Sequence, residues 1–269
     1  MGFPFYSYVE PDWLQITTKK LQGGKMKLLC IFFTGVFMLQ FNLNSQQLSA
    51  DHIFILVDES APGAKVLKDV GLKMNPDTLH HTGQGTSAVF FNFNNFYLEL
   101  LWISHEEEDE KSGNKIVEMF HNQKEGGSPF GFVVARKSNE TDSLPFPNES
   151  LYADWLRPGE SVKFGISNDI MLPSVIVVPR YLDYDSIKTR YPEAIRELTD
   201  HPAGSLTLTS IRFNGPGSIS ESPAINELIK HGIAEFVKDA KHLAELTFNN
   251  GKSGITIDAR PKLPLVIFY

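Results

Sequence analysis

The chain of 269 residues has one cysteine, Cys30. No internal disulfide can form, and zinc sites built on two or four cysteines are excluded. Basic charge is also scarce: 25 Lys and Arg stand against 32 Asp and Glu, for a formal net charge of −7. Nucleic acid is therefore not an expected partner, because it needs a net basic face. No Gly-x-Ser-x-Gly elbow occurs, which removes the usual frame for a nucleophilic triad. Long apolar runs are missing as well. The nearest, Leu28 to Leu39, would cover about 18 Å as a helix, against a hydrocarbon core of about 30 Å. A stable membrane anchor is not expected.

What is present suits a folded globular chain: 42% apolar, 12% aromatic and 21% charged residues, values that exclude intrinsic disorder and a multi-span membrane protein. Lys25 and Lys27 precede the short apolar run, and a polar stretch with Ser45 follows it. That order reads as a secretory signal peptide over 26–47 and implies export, to a periplasm or to the outside. Met26 then reads as the initiator and residues 1–25 as an upstream translation artefact. Cleavage near Ser45 would leave a mature chain without cysteine, acidic enough to stay a monomer or a homodimer. Asn139 and Asn148 each open an Asn-x-Ser/Thr acceptor pattern, relevant in a eukaryotic source.

Within the mature chain, DHIFILV at 51–57 reads as a buried strand and APGAKVLKDV at 61–70 as a short helix stopped by Gly71. Strands follow at 87–93 and 96–104, joined by Asn94-Asn95, with a shorter one around Leu79 to His81. The acidic run Glu106 to Glu110 reads as a solvated linker; it lacks the glycine and alternation of a calcium loop. Three strands are expected at 128–136, 161–167 and 173–179, and a helix over 187–198. The last seventy residues repeat the opening order: a strand at 206–213, a helix over 222–236 capped by Ser222, and strands at 243–248 and 263–269. FYLELLW at 96–102 and KHLAELTF at 241–248 each hold one glutamate among apolar neighbours, which suggests an internal duplication. The expected boundaries are 50–269 for the whole domain, with a first module at 50–105, a middle segment at 106–200 and a last module at 201–269.

DHIFILVD, HTGQGTSAVFFNF at 81–93 and FYLELLWIS at 96–104 resemble the amino-terminal module of the vicinal oxygen chelate superfamily, most closely its glyoxalase-like domains. HPAGSLTLTSIRF at 201–213 is loosely similar to the opening of a further module. The resemblance implies an α+β fold in which βαβββ modules form a cupped mixed β-sheet with short helices outside. It also implies a divalent metal (Fe, Mn, Zn or Ni) in the cup, held by side chains from the first and last strands of each module. Carried onto this chain, those positions are His52, Glu99 and Glu245; the fourth falls near Ser210, a departure from the four-ligand pattern. The reaction implied is that of a lyase, isomerase or dioxygenase on a small oxygen-rich molecule. A metal-free module that sequesters a small ligand is the alternative.

The residues themselves leave the roles open. His52 beside Asp51 also reads as a satisfied structural histidine, and Glu99 as a solvated edge residue. A lone buried carboxylate is costly, so Glu99 calls for a metal, a cation such as Arg136 or Arg212, or a proton. The loop from His81 through Gly83 and Gly85 to Thr86 could approach a ligand through its backbone N–H groups, or be only a tight turn. It lacks the strand-before, helix-after setting of a phosphate loop. Adjacent His80 and His81 point oppositely on a strand, so at most one joins the site. Trp102 and Trp155 are candidate pocket walls or core residues.

Overall fold

Period-two alternation of large apolar side chains builds the first half of the structure, a computed structural model that describes residues 48–81, 84–104, 115–137, 143–153 and 156–269. The expected leader at 26–47, the segment before it, the acidic run, Gly83, Asn139 and Trp155 lie outside the described residues. The first elements are β1 (Leu48–Leu56), α1 (Ala64–Asp69), β2 (Leu79–His81), β3 (Thr86–Asn92) and β4 (Tyr97–Ile103). Gly71, at a φ of +87°, turns the chain out of α1, a backbone angle that favours glycine. Next come α2 (Lys115–Lys124), β5 (Phe130–Arg136), β6 (Asn148–Leu151), β7 (Val162–Gly165) and β8 (Ser174–Val177). All eight strands share one mixed sheet in the order β2-β3-β4-β1-β5-β8-β7-β6.

That order is two equal halves meeting at β1 and β5, which pair antiparallel. In each half the first strand lies parallel to the last, β1 beside β4 and β5 beside β8. The counterpart of the first module is therefore the strand set at 130–177, within the segment that sequence reading set aside as a middle. This corrects the pairing of 50–105 with 201–269. The counterpart was hard to see because β6, β7 and β8 have four residues each, too short for a clear alternation.

Two short helices, α3 (Tyr184–Arg190) and α4 (Pro192–Leu198), replace the single helix expected over 187–198. Pro192 disfavours helical backbone at Tyr191 and starts the second helix instead. The carboxyl-terminal part holds β9 (Leu208–Gly215), α5 (Pro223–Lys230), β10 (Glu235–Lys238), β11 (Leu243–Phe248), β12 (Thr256–Asp258) and β13 (Leu265–Phe268). They form a separate five-stranded sheet, β10-β9-β11-β13-β12. The helix expected to reach residue 236 stops at Lys230, since Gly232 takes a φ of +63° and sends the chain into β10. The apolar terminal strand β13 lies inside this sheet, between β11 and β12.

The larger core lies between the two sheets, where Phe130 and Phe132 meet Phe213, and Phe93 meets Phe248. Asn94 and Asn95 do not supply positive φ to their turn, as their type had suggested. Their amides instead bond Ser205, Thr207 and Leu208, tying the turn between β3 and β4 to the strand that starts the second sheet. A second apolar cluster covers the opposite face of the eight-stranded sheet: Phe54, Leu101, Val133 and Ile176, with Met119 and Phe120 of α2.

Gly131 is required by that second face. A Cβ there would lie 2.0 Å from Phe54 Cζ, and Phe54 is its cross-strand partner and itself buried. The far end of the ring occupies the space a side chain at 131 would need. Gly131→Ala is expected to destabilise the fold by about 1–3 kcal/mol through overpacking. Urea unfolding of the purified variant checks this, and an unchanged midpoint would contradict it.

Candidate functional site

A β-bulge decides what β1 presents to this second face. Cross-strand partners run in step until Ala50, opposite Val134; His52 then faces Val133, which leaves Asp51 as the extra residue. A bulge of one residue inverts the alternation beyond it. Before it, Leu48 and Ala50 pack into the inter-sheet core. After it, Ile53 and Ile55 do so, and Phe54 and Leu56 turn to the other face with His52. On β4 the same alternation sends Leu98, Leu100 and Trp102 to the inter-sheet core and Leu101 to the opposite face, the side of Tyr97 and Glu99.

His52 and Glu99 thus converge. His52 Nε2 lies 3.6 Å from Glu99 Oε2, and His81 Nε2, from β2, lies 3.7 Å from Glu99 Oε1. Both separations exceed hydrogen-bond length. Glu99 is 5% exposed, and among the described residues nothing closer satisfies its carboxylate. Each histidine is held through its other nitrogen. Asp51 accepts from His52 Nδ1 at 2.6 Å and from the backbone N–H of Tyr184 at 2.7 Å, at the start of α3. His81 Nδ1 meets the Thr86 hydroxyl at 3.0 Å. With Nδ1–H given to Asp51, His52 Nε2 carries the lone pair and accepts from the Tyr97 hydroxyl at 3.3 Å. The Tyr97 ring also stacks on the imidazole, 4.0 Å between centroids.

Burial dominates the electrostatics. Loss of solvent pushes the Glu99 carboxyl up to about 7, with His52 pulling the other way. His81 is pushed down to about 4 by burial first, then by the charges of His52 and His80. Burial, with Asp51 and Glu99 nearby, raises the Tyr97 phenol well above its usual range. At neutral pH the site therefore holds a neutral His81 and a carboxyl divided between its acid and its base.

The other expected residues fall elsewhere. Glu245 lies on β11 of the five-stranded sheet, where its carboxylate pairs with Arg212 at 3.3 Å. It belongs to a different sheet because β11 pairs with β9 and β13 and with no strand of the first sheet. Arg212 is likewise taken up by Glu235 and Glu245 and does not serve Glu99. Trp102 packs in the inter-sheet core: it is three residues from Glu99, an odd step that places it on the opposite face. Gly85, at a φ of +66°, is a turn residue whose carbonyl accepts from the Ser104 N–H. Thr86 enters the site as the partner of His81 and is 1% exposed. His80 points away and bonds Ser87. His201 is a structural staple between the Lys73 N–H and the Asn92 carbonyl. Sequence reasoning missed Tyr97 and Tyr184; the position of Tyr97, two residues before Glu99 on one strand, is the signal that would have found the first.

The donor chemistry of two imidazole nitrogens and one carboxylate suits a divalent cation. The donors stand wide, however, and the described residues contain no group of three or more His, Cys, Asp or Glu side chains closed on a single point. Two cavities open elsewhere on the molecule, and neither is lined by His52, His81 or Glu99.

The family model described as "Glyoxalase-like domain" matches residues 50–228. No curated protein matches the chain. A crystal structure of a hypothetical protein from Staphylococcus aureus is similar at a TM-score of 0.49 and 12% identity, over 82% of this chain and 98% of that one.

Glu99 leaves a pH signature in stability. Its folded pKa of about 7 lies above the ordinary 4.5, so the stability tied to its neutral form is complete below 4.5 and is lost as pH rises through 7. Full ionisation costs on the order of 3 kcal/mol. His81 acts in the opposite sense, losing stability as pH falls from 6.5 towards about 4. Glu99→Gln should therefore unfold at higher urea than the parent at about pH 8, with the gain fading below about pH 4.5. A difference that does not vary with pH would contradict the assignment.

Proposed function

The chain belongs to the glyoxalase-like domain family, and on that footing we propose that it is an exported protein that binds a small oxygen-rich molecule at His52, His81 and Glu99. One observation carries this reading: Glu99, buried beside two imidazoles, has no hydrogen-bond partner within 3.5 Å among the described residues. Burying a carboxyl group without a partner is expensive, and packing alone would favour an apolar residue there. A ligand oxygen seated beside the two imidazoles would give Glu99 the hydrogen-bond partner it lacks. With a pKa of about 7, Glu99 can donate a proton to a carbonyl oxygen or take one from a hydroxyl. Asp51 keeps the His52 ring in one tautomer and one orientation, and Tyr97 walls its flat side.

A second reading adds a divalent cation, Fe, Mn, Zn or Ni, held by His52, His81 and Glu99. It is favoured by the way Asp51 and Thr86 occupy the two Nδ1 atoms while both Nε2 atoms turn to Glu99, the usual outer support of ligating histidines. Such an ion would polarise a bound carbonyl or enediolate oxygen, the chemistry of a lyase, isomerase or dioxygenase. Without it, the same site serves for sequestration.

Elemental analysis of protein purified without a chelating tag, followed by calorimetric titration with Mn²⁺ or Zn²⁺, separates the two readings. A bound ion lost in His52→Ala and Glu99→Gln supports the second; no ion in parent or variants leaves the metal-free reading. Titration with vicinal diols and hydroxy-carbonyl compounds tests the site itself. Affinity is expected to fall at least tenfold, about 1.4 kcal/mol, in Glu99→Gln and to be unchanged in Glu245→Gln. Binding that survives Glu99→Gln, or no binding to the parent with or without the ion, would overturn the proposal.

A further inference from the structure

A cleft of about 370 Å³ opens at the far end of β1, away from the histidine and glutamate cluster. Its walls come from three parts of the chain that only the fold unites. Leu56 ends the first strand and Asp58 lies in the turn after it, Gln123 lies near the end of α2, and His242, Lys262 and Pro264 belong to the connections of the second sheet. Clefts of this size at the meeting of two layers are the usual place for small-molecule sites.

The lining is unusual in its charges. Asp58 and Lys262 both line the cleft, and neither carboxylate nor ammonium pairs with the other or with any described side chain. The remaining polar groups are committed in defined directions. Gln123 donates its amide to the Leu56 carbonyl at 3.1 Å, which leaves its Oε1 as an acceptor. His242 Nε2 donates to the Gly126 carbonyl at 3.2 Å, which leaves Nδ1 as an acceptor.

The cleft is also preformed. Ser60 and Ala61 take φ values of +64° and +46°, rare for residues with a Cβ, and Ala61 is buried. The Ala61 N–H bonds the Asp58 carbonyl at 3.0 Å, closing the turn that presents Asp58. Across the cleft, Gly63 packs so closely that a Cβ there would come 2.6 Å from Leu263, the neighbour of Lys262. Strained backbone held this firmly is characteristic of functional sites, and a rigid cleft saves a ligand the cost of ordering it.

We propose that this cleft binds a small zwitterion, an amino acid or short peptide, with its ammonium on Asp58, its carboxylate on Lys262 and its apolar body against Leu56 and Pro264. Opposite charges that line one cleft without pairing with each other match a molecule that carries both charges on a short apolar frame. The proposal is independent of the proposed role of Glu99.

The test is an NMR titration of the full chain with the zwitterionic dipeptide alanyl-leucine, its N-acetyl form and its C-terminal amide, following the Gly126 and Gly127 backbone amides. Saturable shifts at those amides are expected for the free dipeptide, with affinity at least tenfold weaker for either blocked form. Asp58→Asn should abolish the discrimination against the N-acetyl form, and Lys262→Gln that against the amide. Both residues are exposed, so thermal melts of the variants should match the parent. No saturable shift up to about 10 mM (a free energy weaker than about 3 kcal/mol), equal binding of the blocked forms, or shifts confined to Tyr97 and Glu99 would each overturn the proposal.

Discussion

One extra residue in the central strand governs the rest of the architecture. β1 is hydrogen-bonded on both sides, to β4 and to β5, so its side chains must satisfy two packed faces at once. Without the bulge at Asp51, His52 and Phe54 would continue the alternation of Leu48 and Ala50 into the inter-sheet core. The bulge turns them to the other face and frees the Asp51 carboxylate from the ladder's alternation. That carboxylate then bonds both the histidine it has redirected and the first N–H of α3. One local irregularity thereby aims the imidazole, fixes its tautomer and docks a helix.

The site this creates is costly in folding terms. Glu99, His52 and His81 sit on a face whose neighbours include Phe54, Leu101 and Met119, and burial moves Glu99 and His81 far from their solution behaviour. The opposite face bears the burden of stability. There the five-stranded sheet covers the first one with aromatic contacts, Asn94 and Asn95 bond across to the second sheet and its approach, and His201, on that approach, bonds back to Lys73 and Asn92. The carboxyl-terminal sheet buttresses the site without contributing a group to it.

Legibility followed the strength of each local pattern. The βαβββ order of 48–103 was readable because its strands, apart from β2 with three residues, are apolar runs of seven to nine residues bounded by polar turns. His52 and Glu99 stood out as polar residues in apolar strands, and His81 as the end of a short one. Glu245 was drawn in by the same criterion and excluded only by its sheet and its Arg212 partner. Trp102 was a different case. Its odd spacing from Glu99 already separated the two faces, so the information was in the sequence and simple alternation would have used it. Three strands of the second half-sheet, β5, β7 and β8, were legible at 128–136, 161–167 and 173–179. Their pairing with β6 as a counterpart of the first module was not, because β6, β7 and β8 are short and long polar connections separate them.

The amino-acid sequence by itself determined the local elements of the first module, the acidic balance and the rarity of cysteine, because none of these depends on contacts between residues far apart along the chain. It also marked which polar side chains had no reason to sit among apolar ones. Tertiary structure alone decided that 130–177, not 201–269, completes the sheet, and that His81 joins His52 and Glu99. It also decided that Asp58 and Lys262 face one cleft. Those outcomes depend on strand pairing and on a one-residue bulge, and pairing energy is spread over contacts between residues far apart in sequence. No window along the chain contains both partners.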